Sequence, residues 1–328
     1  MSLSLCGKLF WTLFRRVRIG RKEMKKTVFK GVIPATVLPF MENFEIDEAN
    51  LRKFVRYLVG IDGVEGVLCN GHAGEIVSLS RAERKKVVEI IIDEVGEKVA
   101  VVSGIHHEHT PDAVKHSQDA LDAGADAVLV LPPGSWLRGK NEKIPYRYFK
   151  AIAEAIDIPL WVFQYATTSK ANYPTKRLLE LAGIENVVAV KLSVNDWIRY
   201  DHEYRALKSL EKDIRVFTSN NMSLLASLAI GADGVVIGSG SLYSEWVVEL
   251  YSAIQNNNLK AAREIHRRMM PLTEAIYSEP QCDVYTRIKA AQVMMGRLEN
   301  DVVRPPLLPL TDDEKLKIAK ALKDCELL

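Results

Sequence analysis

The sequence predicts an α/β fold, a (β/α)8 TIM barrel with a C-terminal helical extension. From Lys30 onward, short runs rich in β-branched residues alternate with amphipathic stretches, a pattern typical of a parallel sheet covered by helices. Eight such strands follow one another within about 210 residues, which matches one barrel in number and length. The triplet Gly-Ala-Asp occurs at 124–126 and again at 231–233, before the fourth and eighth predicted strands. This recurrence favours a fold built from repeated units.

Caps mark several of the element boundaries. Asp47 is the expected N-cap of the first helix, and Ser80 with Glu83 forms a capping box at the start of the second. Thr110 is the expected N-cap of the third helix, with Pro111 at the first helical position. The predicted strands are residues 31–37, 66–70, 99–104, 127–131, 159–164, 187–191, 214–218 and 234–237.

The chain divides into three expected regions. Residues 1–28 are a basic extension that we expect to lie outside the fold; a basic amphipathic helix for a membrane surface or a partner is one interpretation. A cloning remnant or a start codon assigned too early is the favoured one. Residues 29–256 form the predicted barrel, and residues 257–328 form the C-terminal helical region, which we expect to pack on the barrel or on a partner subunit.

The distribution of charge argues against nucleic acid as a partner. The chain has 328 residues and a net charge of +2, but residues 1–30 alone contribute +8, so the remainder carries −6. A body without a basic surplus does not indicate nucleic-acid binding. No apolar run approaches the ~20 residues that span a bilayer, so no membrane segment is expected.

Cysteine spacing and glycine motifs give no sign of a metal or a cofactor. Cys6, Cys69, Cys282 and Cys325 are scattered without CxxC spacing, so neither a zinc site nor a disulfide framework is expected. Free thiols fit a reducing cytoplasm, which is the predicted location. Neither a GxGxxG motif nor a Walker loop is present, and we expect no cofactor.

Lys191 is the first candidate for chemistry. It closes the apolar run 187–190, which is typical of a strand buried on both faces. In a (β/α)8 barrel, the C-terminal end of a strand faces the mouth where active sites lie. Apolar surroundings lower the pKa of a lysine, and the neutral amine can attack a ketone to form a Schiff base. The alternative is a strand-end lysine that reaches solvent or pairs with an acid.

Three features together resemble the dihydrodipicolinate synthase / N-acetylneuraminate lyase superfamily. They are the loop Gly71-His72-Ala73-Gly74-Glu75 after strand 2, Ala189-Val190-Lys191 at the end of strand 6, and the C-terminal helices. The resemblance covers about residues 29–320. Members of this superfamily are class I aldolases or lyases that bind pyruvate or another 2-oxo acid as a lysine Schiff base. The resemblance implies a catalytic Lys191, a small-molecule 2-oxo acid as substrate, and a homo-oligomer, a tetramer or a dimer.

The loop after strand 2 is the predicted binding site for the substrate's carboxylate. Glycines permit close approach, so the turn from Gly71 to Gly74 offers backbone N–H groups to an anion, and Ala73 lies within it. His72 is either a further donor or an ordinary turn histidine. Glu75 is expected to hold the loop in place.

A second glycine-containing turn follows strand 8. Gly238 and Ser239 are predicted to approach the substrate from the far side of the barrel. An ordinary helix-entry turn with serine as the cap is an equal alternative.

Strand 5 departs from the family pattern. The resemblance implies Tyr-Asn-x-Pro there, with a tyrosine that relays protons to the imine, whereas this chain has Phe163-Gln164-Tyr165-Ala166. Phe163 has no hydroxyl and is assigned only to substrate binding. Tyr165 points the same way on an extended backbone, so we predict that it takes over part of the relay. The alternative is a tyrosine that only fills space.

Other departures argue against lysine biosynthesis. The family's two loop threonines are replaced by His72 and Ala73, and Thr168 stands where an arginine binds the second substrate's carboxylate. Ser135 falls where a tyrosine is lent across the dimer interface, and it remains a weak site candidate. The bulky Trp136 suggests a substrate unlike aspartate semialdehyde.

A histidine cluster follows strand 3. His106 and His107 are weak candidates for substrate contact or acid–base work. A metal held by His106, Glu108 and His109 is an alternative, although a loop does not fix the geometry as a helix does. A solvated surface loop is the favoured interpretation, and no metal is predicted.

The leading hypothesis is a Schiff-base-forming lyase, an aldolase or a dehydratase that acts on pyruvate or a sugar-derived 2-oxo acid. It resembles dihydrodipicolinate synthase but is not expected to have that activity. Two alternatives remain: a 2-oxo-acid-binding pseudoenzyme of the same fold, and a metal-dependent aldolase that uses His106 and His109.

Overall fold

The computed structural model describes residues 29–328, and the predicted basic extension, residues 1–28, lies outside them. Within the described range, eight parallel strands form one sheet in the order β1-β8-β7-β6-β5-β4-β3-β2. The strands are β1 (Gly31–Val32), β2 (Gly66–Cys69), β3 (Ala100–Ile105), β4 (Ala127–Val130), β5 (Leu160–Gln164), β6 (Val187–Leu192), β7 (Arg215–Thr218) and β8 (Gly234–Val235).

The ring of strands closes between β1 and β2. Isolated parallel bridges join Ala35 to Leu68 and Val32 to Val64. The Leu68 amide donates to the Pro34 carbonyl, and the Thr36 amide donates to the Leu68 carbonyl, both at 2.9 Å. The predicted (β/α)8 barrel is therefore confirmed. β1 is much shorter than the predicted strand 31–37, because Pro34 has no N–H with which to continue the ladder.

Helices follow the strands around the barrel. They are α1 (Glu48–Val59), α2 (Arg81–Val95), α3 (Thr110–Asp122), α4 (Ile144–Ala155), α5 (Thr175–Ala182), α6 (Trp197–Lys208), α7 (Leu224–Ile230), α8 (Ser244–Gln255), α9 (Leu259–Ile276), α10 (Val284–Met294) and α11 (Asp312–Asp324). The cap at Asp47 and the Ser80–Glu83 capping box are confirmed. The cap at Thr110 is wrong by one residue. His109 occupies the N-cap, because a proline fits either of the first two helical positions and does not fix the start.

The two Gly-Ala-Asp corners have the same construction. Gly124 and Gly231 adopt φ values of +93° and +123°, which L side chains rarely adopt. The carboxylates that follow accept backbone hydrogen bonds from the neighbouring strand: Asp126 from the Val101 amide at 2.8 Å, and Asp233 from the Val216 amide at 2.7 Å. The repeated triplet thus marks equivalent positions in the barrel, as predicted.

The C-terminal helices share their apolar core with the barrel. Leu272 of α9, Ile288 of α10 and Leu322 of α11 belong to one buried cluster with strand residues such as Val32 and Ala189. The region thus packs on the barrel of its own chain, one of the two expected arrangements. None of the helices in residues 29–328 combines the length and apolarity needed to cross a bilayer.

Candidate active site

Lys191 lies inside the barrel near its C-terminal end. The sheet register places it on β6 between Phe163 of β5 and Phe217 of β7. Its side chain is 8% exposed, and Nζ lies 3.9 Å from the centroid of the Phe163 ring. Burial lowers the pKa of the ammonium to about 7. No carboxylate of residues 29–328 forms an ion pair with it. Lys191 therefore neither reaches solvent nor pairs with an acid, the two arrangements expected of an ordinary lysine at the end of a strand.

Lys191 opens onto a small cavity of about 20 Å³. The turn residues 71–73, Phe163, Gly238 and Tyr285 line this cavity with it, together with apolar side chains of the first, second and fourth strand segments. Lys191 is the single ionised lining group among the described residues, since burial keeps His72 neutral. The site therefore combines one amine of lowered pKa, that of Lys191, with uncharged surroundings.

The turn after β2 lines this cavity with Gly71, His72 and Ala73, whereas the predicted site residue Gly74 does not line it. The amides of residues 72–74 donate to no backbone carbonyl within residues 29–328, whereas the next two amides close the turn onto His72 and Gly71. Gly104 of β3 allows the turn to lie this close to the sheet: a Cβ on Gly104 would sit 1.9 Å from the Asn70 carbonyl oxygen. Free, adjacent N–H groups are what a carboxylate requires.

His72 and Tyr165 form a hydrogen bond between Nε2 and the phenolic hydroxyl. Their rings stack with centroids 5.8 Å apart, and the Tyr165 ring lies 4.5 Å from that of Phe163. Burial and the nearby Lys191 cation lower the pKa of His72 to about 3, so the imidazole is neutral. Burial raises the pKa of Tyr165. Tyr165 does not itself line the cavity, but it contacts two residues that do, His72 and Phe163.

The loop that carries Tyr165 is fixed from both ends. The side-chain amide of Asn172 donates to the backbone carbonyl of Tyr165 at 2.5 Å. Gln164, fully buried, accepts from the Tyr173 amide at 2.9 Å and donates to the Tyr173 carbonyl at 2.8 Å. Lys140 and Arg199 also donate to carbonyls of this loop, so both its own residues and its neighbours hold its conformation.

Several predicted site residues do not line the cavity. The Ser239 hydroxyl is buried and donates to Asn221 Oδ1 at 2.5 Å. Ser135 is exposed, and its amide donates to the Glu108 carboxylate at 3.1 Å. Trp136 packs edge-on against Tyr148 instead of shaping the mouth, because it belongs to a buried aromatic cluster under the loop after β4.

The histidines after β3 point in different directions. The His106 ring lies 6.5 Å from that of His72, beside the site, and burial lowers its pKa. His107 stacks on His116 with centroids 5.4 Å apart, and the exposed His109 pairs with Asp112 at 2.9 Å. No group of three or more His, Cys, Asp or Glu side chains in residues 29–328 is arranged to hold a metal ion. The geometry therefore gives no support to the metal alternative.

A second, larger space, which we call the polar cleft, lies at the same end of the barrel. Its volume is about 320 Å³, and its lining follows the C-terminal ends of β5, β6 and β7. Ser193, Asn195, Ser219, Asn220 and Asn221 contribute hydroxyl and amide groups to it, and among described residues no charged side chain lines it. This lining suits an uncharged polar group.

Sequence reasoning missed two residues of α10. Tyr285 lines the cavity, and Lys289 forms a buried ion pair with Glu75 of the β2 turn. The sequence predicts that residues 257–328 are helical, but nothing local to α10 signals contact with a loop more than 200 positions earlier. A lysine amid apolar residues in that helix is the one available sign.

A buried unpaired amine on a barrel strand, facing a turn of free amides, defines a lyase of the class I aldolase type. The chain belongs to the dihydrodipicolinate synthetase family, whose model matches residues 28–325. It is 31% identical over 302 residues to a 4-hydroxy-tetrahydrodipicolinate synthase of Bartonella bacilliformis, covering 92% of this chain and 99% of the relative.

Solved structures agree with the family assignment. Dihydrodipicolinate synthase from Thermotoga maritima superposes with a TM-score of 0.84 at 26% identity, covering 92% of this chain and all of that one. A structure described as a monomeric dihydrodipicolinate synthase variant also gives a TM-score of 0.84, at 28% identity, covering 92% of this chain and 98% of that one.

Proposed function

We propose that this protein binds pyruvate or a related 2-oxo acid as a Schiff base on Lys191 and catalyses aldol cleavage or dehydration through it. The observation that carries the proposal is the lysine itself: its pKa is lowered to about 7 by burial, and it lines one cavity with His72 and Ala73, whose amides donate to no backbone carbonyl within residues 29–328. A lysine whose pKa is near 7 is partly uncharged at neutral pH, and the uncharged amine attacks a ketone. The backbone amides hold the carboxylate attached to that ketone.

The chemistry follows from these groups. The Lys191 amine attacks C2 of the oxo acid, and the resulting carbinolamine loses its hydroxyl as water when a proton reaches that oxygen. We assign this proton to the Tyr165 hydroxyl, with His72 as the hydrogen-bond partner of the tyrosinate left behind. The protonated imine then accepts the electron pair released when a C–C bond breaks or a C3 proton leaves, giving an enamine.

The polar cleft favours a sugar-derived 2-oxo acid as the substrate. Amide and hydroxyl groups without charge, as in Asn195, Ser219 and Asn220, suit the hydroxyls of a polyol chain. A substrate with a second carboxylate would require a cationic side chain to bind it, and no described residue that lines the cleft is cationic.

A second candidate function is 4-hydroxy-tetrahydrodipicolinate synthesis. Relatives at 30% and 31% identity are named for this activity, which favours it. The two candidates share the Schiff base and differ in the second reactant, so one panel separates them: 2-keto-3-deoxy sugar acids on one side, pyruvate with aspartate semialdehyde on the other. Turnover of neither, with pyruvate still captured, would identify a 2-oxo-acid-binding pseudoenzyme.

Borohydride reduction in the presence of pyruvate tests the Schiff base. We expect a covalent adduct on the wild type by mass spectrometry and none on Lys191→Ala. Lys212→Ala is the matched control, because Lys212 is half-buried and donates to the Ile184 and Glu185 carbonyls, outside the cavity. No wild-type adduct, or an adduct that survives in Lys191→Ala, contradicts the proposal.

We also propose that the chain works as a homo-oligomer in the cytoplasm, as expected from the family. The described cysteines are free, with Cys69 and Cys325 buried and Cys282 exposed, which suits a reducing compartment. Light scattering on the purified chain measures the assembly; a monomer, as named for one solved relative, is the contrary result.

A further inference from the structure

Tyr285 brings a tyrosine side chain from the C-terminal helices to the barrel cavity. It lies in the first turn of α10 and lines the same space as Lys191. A Cβ built on Gly238 would lie 3.0 Å from Tyr285 Cε1 and 3.7 Å from the Ala73 methyl group. The tyrosine ring and the turn after β2 therefore face one narrow gap, which the missing side chain of Gly238 keeps open.

The cavity has few groups that can hold a carboxylate. Lys191 is consumed in the Schiff base, and no arginine among the described residues lines the space. The turn contributes backbone amides, but its side chains at 72 and 73 are an imidazole bonded to Tyr165 and a methyl group. A bound carboxylate has about four lone-pair directions to satisfy, so amides of a single turn leave room for another donor.

The Tyr285 hydroxyl is available as that donor. Its oxygen makes no hydrogen bond to any group in residues 29–328, unlike the hydroxyls of Tyr165 and Tyr243. Burial raises its pKa to about 12, so the phenol keeps its proton at neutral pH and donates it. A neutral donor beside a buried anion avoids introducing a second charge into the cavity.

We propose, on the basis of the function proposed above, that Tyr285 is a substrate-binding residue whose hydroxyl donates a hydrogen bond to the carboxylate of the 2-oxo acid held on Lys191. The C-terminal helical region thereby completes the site: α10 supplies the side-chain hydroxyl that the β2 turn lacks. Recognition of the carboxylate is divided between the turn and this helix.

Tyr285→Phe tests the assignment, because it keeps the ring and removes only the hydroxyl. Borohydride trapping is run against pyruvate and against methyl pyruvate, a ketone whose carboxylate is esterified. We expect the half-saturating concentration of pyruvate to rise about tenfold or more, as for the loss of a hydrogen bond to a charged group. The value for methyl pyruvate should stay unchanged.

Tyr251→Phe is the control variant, since the Tyr251 hydroxyl donates to the Asp233 carbonyl, outside the cavity. Gly238→Ala is a second test: its methyl group would meet the Tyr285 ring at 3.0 Å, and we expect weaker pyruvate capture. Unchanged pyruvate saturation in Tyr285→Phe, or equal shifts for acid and ester, overturns the assignment. Absence of trapping in the wild type instead refutes the Schiff base itself.

Discussion

The Lys289 ammonium and the Glu75 carboxylate form a fully buried ion pair, with Nζ 2.5 Å from Oε1. Lys289 also donates to the Val302 carbonyl at 2.8 Å, and the second Glu75 oxygen accepts from the Arg304 amide at 3.0 Å. Glu75 has φ +50° and ends the turn that holds His72. The C-terminal helices are thus bonded directly to the carboxylate-binding turn, and Glu75 holds the loop as expected from the sequence.

Removing one partner of this pair should be strongly destabilising. In Lys289→Met, the Glu75 carboxylate is left buried without a cation, a change that typically costs about 3–5 kcal/mol. Urea denaturation followed by circular dichroism measures the free energy of unfolding. In the double variant Lys289→Met/Glu75→Gln, we expect part of the loss to be recovered, because the uncompensated charge is gone.

The control is an exposed pair on the same chain. Arg267 and Glu264 pair on the surface of α9, with side chains 75% and 65% exposed. Arg267→Met should change stability by less than about 1 kcal/mol, as is usual for surface ion pairs. A Lys289→Met variant as stable as Arg267→Met would contradict the structural importance of the buried pair.

Imine formation should depend on pH through Lys191. Its pKa is lowered to about 7 by burial, so the neutral amine is the minor form below that pH and the major form above it. We expect the rate of pyruvate capture to rise through pH 7 and to level off about one unit higher. Rapid-mixing borohydride trapping from pH 5.5 to 9 measures it; a rise centred near the ordinary lysine value of 10.5 would contradict the burial.

The same lysine should lower stability in a pH-dependent way. A depressed lysine pKa means that the unfolded chain binds the extra proton between about pH 7 and 10.5, so stability rises with pH across that window. The cost is fully present below pH 7 and fades toward 10.5. Lys191→Met should therefore melt at a higher temperature than the wild type at pH 7, with the gap closing by pH 10. A constant gap would contradict this titration.

Much of the fold is readable from local signals. Alternating apolar runs gave the eight strands and their order in the chain, and caps such as Asp47 and Ser80 gave helix starts. The miss at β1 has a local cause, since Pro34 interrupts a ladder that the apolar pattern alone extends to residue 37. The apolar pattern of a sequence reports burial and does not show where a single backbone N–H is missing.

The site was only partly predictable because its parts come from distant elements. Lys191 and the turn 71–74 carry their signals in their own sequence: a charge closing an apolar run, and paired glycines after a strand. Tyr285 carries no such signal, and Lys289 carries only a charge among apolar residues, since their roles depend on how α10 docks on the barrel mouth. The prediction that Trp136 shapes the substrate site was wrong for a related reason: a bulky residue near the barrel mouth can pack against other aromatic residues instead.

Gly104 should be intolerant of any side chain. A Cβ there would lie 1.9 Å from the Asn70 carbonyl oxygen and 3.2 Å from the Gly71 amide, both in the backbone that leads into the turn. Gly104→Ala should therefore displace the turn, lower the melting temperature and weaken pyruvate capture. Gly183→Ala is the control, because its nearest atoms would be carbonyl oxygens 3.4 and 3.5 Å away at a helical φ. Wild-type capture in Gly104→Ala would contradict the close approach.

Removing the proposed proton donor Tyr165 should slow imine formation without preventing it. Tyr165→Phe leaves Lys191 and the turn intact, so we expect pyruvate still to be trapped after long incubation, while the trapping rate and kcat on the substrate found in the panel fall about 10²–10⁴-fold. His72→Gln retains a hydrogen-bonding group and should lose less than His72→Phe. Because the pKa of His72 is held near 3, its replacement should leave the shape of the activity profile above pH 5 unchanged. Equal turnover in the Tyr165→Phe variant and the wild type would assign the proton transfer to another group.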